Sequence, residues 1–234
     1  MRLFEFTRTL AEGGNVFKGD LATQRILKAD VLPTVNWLER ILGMALKNNL
    51  LGSTGKKPDS GDIDIGLQQD TVSKDDLFQK LRKWAADNKL RPEDYVRKTG
   101  TSVHFRTPIA GDPNRGFVQT DLMILPDMKF AQFFMSPDPN STFKDAQKHI
   151  LLASIAKHGG LRWSPTVGLT SRTTGNVIAN EPEHIAEMLL GPNASAQDLT
   201  SVERILKTLE NDPEREAKIS DAKKTLGLLG SDEI

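Results

Sequence analysis

The stretch "LGSTGKKPDSGDIDIGL", Leu51–Leu67, joins a glycine- and lysine-rich turn to a pair of aspartates. Its turn looks like a nucleotide-hydrolysing phosphate loop. Such a loop needs a longer spacer between its glycines and a Lys followed by Ser or Thr, so that the hydroxyl reaches magnesium. Here two residues separate Gly52 from Gly55, and Lys56 is followed by Lys57, so that reading fails. Strand parity supplies a better one. In an extended strand Asp62 and Asp64 project to one face while Ile63, Ile65 and Leu67 project to the other, giving an acidic face and a core face. Two carboxylates about 7 Å apart along the strand, at ~3.3 Å rise per residue, suit a shared pair of magnesium ions. Magnesium keeps waters and takes substrate phosphates as ligands, so Lys56 and Lys57 read as counter-charges for an incoming triphosphate. Manganese is the expected substitute.

A two-metal site wants a third carboxylate on a neighbouring strand. Within "FVQTDLMILP", Asp121 is the only acid between Phe117 and Pro126, flanked by Val118, Leu122, Met123 and Ile124. An isolated acid in an apolar strand needs a partner or a task. A single Asp-x-Asp strand or a single strand Asp is ordinarily a solvated or edge feature. The two together, with the Gly-Ser turn upstream, form a constellation.

The rest of the chain bounds the answer. Its 234 residues suffice for one large domain or a main domain with an appendage. With no cysteine there are no disulfides, thiolate metal sites or cysteine nucleophiles, and without a signal-like start the expectation is a cytoplasmic chain with no membrane partner. Basic and acidic residues balance at 31 each, so a polyanion would have to be met by a local patch. Leu38, Ile41, Leu42, Ala45 and Leu46 predict a helix starting near Thr34, and Ser73 before Asp75 and Asp76 caps a second one carrying Leu77, Leu81, Trp84 and Ala85. Three strand-like runs, 94–98, 102–108 and 117–125, read as a meander. Beyond Lys144 the pattern turns helical up to His158, breaks at Gly159 and Gly160, passes through a hairpin to Ala179, and ends in helices after Glu181 and Ala196. Residues 1–20 read as an irregular arm. The four histidines lack zinc-motif spacing, and Trp37, Trp84 and Trp163 read as packing.

The segment "GSTGKKPDSGDIDIG" resembles the signature of the polymerase-beta-like nucleotidyltransferase superfamily. "QRILKADVLPTV", "SGDIDI" and "TDLMILP" extend the similarity to the palm of family X DNA polymerases, and "FAQFF" through "GLRWSPTVGLTSRTTGNVIANEPEHIAEMLLG" resembles their thumb more loosely, from Arg25 to Gly191 in all. The resemblance implies a mixed α/β fold: a palm with a mixed sheet flanked by helices over residues 25–143, an arm over 1–24, and a small helical, thumb-like lobe over 144–234. It implies that Asp62, Asp64 and Asp121 hold two metals, and that Gly52, Ser53, Ser60 and Gly61 bind the β- and γ-phosphates of a nucleoside triphosphate. Lys56 or Lys57 would stand in for the family's arginine, and Phe134 and Met135 would lie beside the incoming sugar and base. The implied reaction is transfer of a nucleoside monophosphate to an acceptor hydroxyl, with a nucleic-acid 3′ end as the expected acceptor.

Three departures leave the acceptor open. Pro137 replaces a glycine near the sugar, Gln119 replaces an arginine near the primer terminus, and the family's lyase and helix-hairpin-helix regions find no counterpart ahead of the palm. Residues 198–234 do not compensate, with six Lys and Arg against nine Asp and Glu. Leu199, Val202, Ile205, Leu206 and Leu209 predict an amphipathic helix packed on the body. Arg97, Lys98, His104 and Arg106, between the metal motifs, either face the acceptor or form a solvated strand face. A template-independent transferase acting on RNA, protein or a small molecule is the alternative enzyme, and a silent binding protein on the same fold is the alternative outside enzymes.

Overall fold

The computed structural model describes residues 15–228, which form two compact units parting between Met128 and Lys129. The N-terminal unit runs β1 (Ile26–Leu27), α1 (Lys28–Leu42), β2 (Asp59–Ser60), β3 (Asp62–Gln68), α2 (Lys74–Asp87), α3 (Pro92–Tyr95), β4 (Val96–Thr99), β5 (Ser102–Pro108) and β6 (Phe117–Leu125). β1 and β2 make a short antiparallel ribbon. The remaining strands form a mixed sheet in the order β3-β6-β5-β4, with β3 parallel to β6 and the other pairs antiparallel. The meander β4–β5–β6 is therefore present, and β3 is added along its β6 edge.

Parity divides the sheet as the sequence reading requires. Ile63, Ile65, Val103, Phe105, Val118 and Leu122 are buried on one face, in one core with Val31, Val35, Leu38 and Leu42 of α1 and Leu77 and Leu81 of α2. Trp37 stacks on Phe105 and Trp84 meets the same ring edge-on, so both tryptophans are packing residues. The Ser73 hydroxyl accepts from the Asp76 amide and caps α2 as expected. The opposite sheet face carries Asp62, Asp64, Gln119, Asp121, His104 and Arg106, because residues paired across strands lie on the same side.

Three boundaries differ from the sequence reading. α1 begins at Lys28, six residues before Thr34, and runs through Pro33. The proline forfeits one helical hydrogen bond, but the extra turn buries Val31. The helix also stops early: Gly43 takes the left-handed conformation (φ 64°). Leu46 is buried from the following turn, where the Glu39 carboxylate accepts from the Leu46 and Lys47 amides. Asp94 and Tyr95 close the short α3 and do not open β4, because Pro92 at its first position favours a helical turn.

The C-terminal unit comprises α4 (Met128–Phe134), α5 (Asp145–His158), the antiparallel strands β7 (Leu161–Ser164), β8 (Gly168–Ser171) and β9 (Val177–Ala179), then α6 (Pro182–Leu190), α7 (Val202–Thr208), α8 (Arg215–Ile219) and α9 (Lys223–Leu226). Residues 129–143, counted with the palm in the sequence reading, belong here because Phe130 and Phe134 enter the core of Leu151, Leu152, Ile155 and Trp163. The expected helix from Ala196 is broken in two. A 3-10 turn holds Leu199, and the Ser201 hydroxyl then caps α7, yet Leu199, Val202, Ile205 and Leu209 are all buried as expected. Lys148, unremarked in the sequence, is only 2% exposed. Its ammonium donates to the Phe134 carbonyl and pairs with Asp145, each at 2.7 Å. Burial alone would push the Asp145 carboxyl up, but the His149 hydrogen bond and the Lys148 charge hold it at about 2. Among the described residues no helix is long and apolar enough to cross a membrane.

Candidate metal centre

The parallel register of β3 on β6 sets Asp64 directly opposite Asp121, with Asp62 opposite Gln119. One oxygen from each of Asp62, Asp64 and Asp121 lies within 4.8 Å of the others. Sequence parity places two of these acids on one face; the register brings the third level with them.

The turn before β3 is folded against the same carboxylates. Leu50 bridges to Ile65, and the Leu51 amide donates to the Asp64 carbonyl at 2.9 Å. The Thr54 hydroxyl, a residue missed in the sequence reading, accepts from the Asp64 amide at 3.1 Å. Gly52 then passes beside the Asp64 side chain with φ 59°, so close that a Cβ would stand 2.9 Å from Oδ2. Both the left-handed backbone and the close approach require glycine. Ser53 is half-buried and its carbonyl closes the turn by accepting from the Lys56 amide, while the side chains of Lys56 and Lys57 are exposed.

Electrostatics fit a cation among these acids. Burial and the Asp121 charge push the Asp62 carboxyl up to about 6, with Arg25 pulling it down. Burial and the charges of Asp62 and Asp121 push Asp64 well above the usual carboxylate range. An all-oxygen, anionic donor set that repels itself is suited to a hard divalent ion such as magnesium or manganese.

Asp121 is 3% exposed and is engaged through both carboxylate oxygens. His104, opposite it on β5, lies with Nδ1 2.7 Å from Oδ1, and the His104 Nε2 is 2.7 Å from the Thr99 hydroxyl. Gln119 donates from Nε2 to Oδ2 at 3.1 Å. His104 thus bridges the Thr99 hydroxyl and the Asp121 carboxylate through its two ring nitrogens. Sequence reasoning had this histidine facing either an acceptor or solvent, not Asp121; its parity with Arg106 was the available signal. Outer hydrogen bonds of this kind typically tune metal affinity or activity by roughly 10–100-fold. Replacing His104 by Phe should therefore raise the metal concentration for half-maximal activity within that range, with a smaller change for His104→Asn, which keeps a donor near Nδ1. Identical metal titrations for wild type and His104→Phe would contradict the assignment.

Four other expected site residues need correction or placement. Ser60 is buried on β2 opposite Ile26, which covers its hydroxyl from a phosphate as the strand stands, and among the described residues that hydroxyl has no hydrogen-bond partner. Gly61 is exposed, with Arg25 beside it: a Cβ there would be 3.5 Å from the guanidinium. Arg25, which pairs bidentately with Asp59, is a cation at this rim that the sequence reading did not single out. Phe134 is 1% exposed and packs against Phe130 and Trp163 in the other unit's core, which leaves no ring face for a base. Met135 follows it, half-buried, while Phe133 lines a groove of about 440 Å³ with Gln132 and Ser136. Lys98 points away from the carboxylate face, pairing with Asp75 and lying over the Phe78 ring. No protein-family model matches the chain, and no curated protein is significantly similar to it.

Proposed function

We propose that this chain is a two-metal nucleotidyltransferase of the polymerase-beta-like kind. The observation that carries the reading is the level pairing of Asp64 with Asp121 on parallel strands beside Asp62, against a turn that only Gly52 can make. Magnesium ions bound there would supply charge stabilisation for the attacking and leaving oxygens. Asp62 and Asp64 would hold the metals with the triphosphate, and Asp121 would do so nearest the acceptor hydroxyl. The Gly52–Ser53 turn and Gly61 offer backbone donors to the β- and γ-phosphates, with Lys56, Lys57 and Arg25 as counter-charges. The acceptor oxygen forms a bond to the α-phosphorus, the bond to the β-phosphate oxygen breaks, pyrophosphate leaves, and the hydroxyl proton passes to solvent.

A nucleic-acid 3′ end is the proposed acceptor. Transfer to RNA, protein or a small molecule without a template is the second reading, favoured by Gln119, which is engaged with Asp121 and offers no cation to a primer. Incubation with each labelled nucleoside triphosphate, magnesium or manganese, and in turn single-stranded DNA, primed DNA, RNA and cell extract tests both. Label on no acceptor under any condition would leave only a silent binding protein on this fold.

With zero net charge and no cation at position 119, the isolated chain should fill a short gap poorly at near-physiological salt. Any DNA synthesis should appear as untemplated addition or depend on an accessory protein. Efficient insertion of only the complementary nucleotide would contradict this.

A further inference from the structure

The carboxylate face of the sheet does not lie open along its whole width. The segment 15–24 crosses it and takes up two of the donors that sequence reading offered to an acceptor, Arg97 and Arg106. The Arg97 guanidinium donates to the Val16 carbonyl at 2.6 Å, and Arg106 donates to the Leu21 carbonyl at 3.0 Å while lying 3.7 Å from the centre of the Phe117 ring. The Gln24 backbone N–H donates to the Phe117 carbonyl at 2.8 Å. Phe17 is 1% exposed beneath Arg97. The Asn15 side chain bonds to the Thr23 hydroxyl, tying the two ends of the segment together.

One contact links this strap to the candidate metal centre. The Val16 amide donates to Gln119 Oε1 at 2.7 Å. That bond fixes which end of the Gln119 amide faces Asp121, and the NH2 group then donates to the carboxylate. Gln119 is 1% exposed. The strap thus orients a residue that holds Asp121 and also covers the β5–β4 flank beside it.

We infer that the strap is a specificity-determining wall on the acceptor side of the site, admitting an unpaired 3′ end and excluding a double helix; this rests on the nucleotidyl-transfer reading above. Asp121 is recessed, so an acceptor hydroxyl has to enter from the β3 side. An unpaired end needs only that gap. A rigid duplex brings a second strand along the flank of its terminus, where the strap already lies.

The test compares wild type with Phe17→Ala and Val16→Pro, neither of which changes charge, on one oligonucleotide offered unpaired or annealed as a recessed 3′ end. Wild type should favour the unpaired end by about 100-fold, and each variant should narrow that preference about tenfold. Hydrogen exchange of residues 16–24, protected in wild type and released in the variants, reports the strap without reference to activity. Should Phe17→Ala fail to fold, Val16→Pro, which removes a single N–H from a half-buried position, carries the comparison. Rapid exchange of these amides in wild type overturns the proposal, as does an unchanged preference in a variant whose strap is released. Transfer by wild type to no acceptor at all overturns the nucleotidyl-transfer reading and the wall with it, whereas transfer without preference overturns the wall alone.

Discussion

Replacing Asp121 by Asn should lower nucleotidyl transfer at saturating nucleotide and magnesium by at least ~10³-fold, about 4 kcal/mol of transition-state stabilisation. Asn removes one charge and keeps the shape, so the loss reports the carboxylate and not the packing. The same magnitude is expected for Asp62→Asn and Asp64→Asn, because all three oxygens converge within 4.8 Å. Two acids serve as controls. Asp70 is exposed in the turn after β3, and Asp59 engages Arg25 in a largely solvent-accessible pair of the kind that contributes little to stability. Asp70→Asn should be silent, and Asp59→Asn, which releases Arg25 at the rim, should retain most of the activity. Near-normal turnover by Asp121→Asn would remove the three-carboxylate centre from the account.

The second large effect is on the metal-free fold. Asp62 titrates at about 6 in the folded chain, against ~3.9 for an ordinary Asp, and Asp64 is shifted the same way. A raised folded pKa means that the stabilising contribution is complete below the ordinary value and is lost as pH rises through the folded one. For Asp62 alone the loss by neutral pH is on the order of 2–3 kcal/mol. Asp145 and Glu203 act oppositely. Burial would push Glu203 up, but backbone N–H groups and the Ser141 and Thr142 hydroxyls hold it at about 2. Their stabilisation is present above the ordinary carboxylate range and falls away as pH drops towards 2. In chelator, thermal stability should therefore peak near the ordinary carboxylate range, at about pH 4, and decline through pH 6 towards neutrality. Asp64→Asn should raise the melting temperature in chelator at neutral pH, and magnesium or manganese should raise it in the wild type only. A melting temperature in chelator that climbs from pH 5 to 7.5, or falls on Asp64→Asn, would mean that these acids are structurally paired.

How far the sequence could be read depends on the range of the interaction concerned. Local signals were sufficient for the alternation of Ile63 and Ile65 with Asp62 and Asp64, for the Ser73 cap, and for the meander, because strand parity and capping act over a few residues. Asp121 was legible as an acid without company in an apolar strand. That it sits level with Asp64 was not, since register between strands more than fifty residues apart is fixed by the whole core. His104 was read as facing an acceptor or solvent, and its pairing with Asp121 was missed for the same reason: its task comes from the residue opposite, which no spacing rule encodes. Pro33 misled because a buried Val31 outweighs one lost helical bond. Phe134 was placed beside a base because an aromatic residue reads alike whether it meets a ligand or a core. The strap over the β4–β5 flank had no periodicity to betray it, and its contacts are mostly backbone atoms.

Counting bound manganese decides whether these three carboxylates form a two-metal centre. The purified chain would be titrated with Mn2+ in the presence of a nucleoside triphosphate analogue that cannot release pyrophosphate, and free metal followed by its paramagnetic resonance signal. Two ions bound per chain in the wild type, and none held comparably by Asp64→Asn, is the result expected of a three-carboxylate nucleotidyltransferase centre. Binding of neither metal nor nucleotide, or the same metal uptake by wild type and Asp64→Asn, would contradict it.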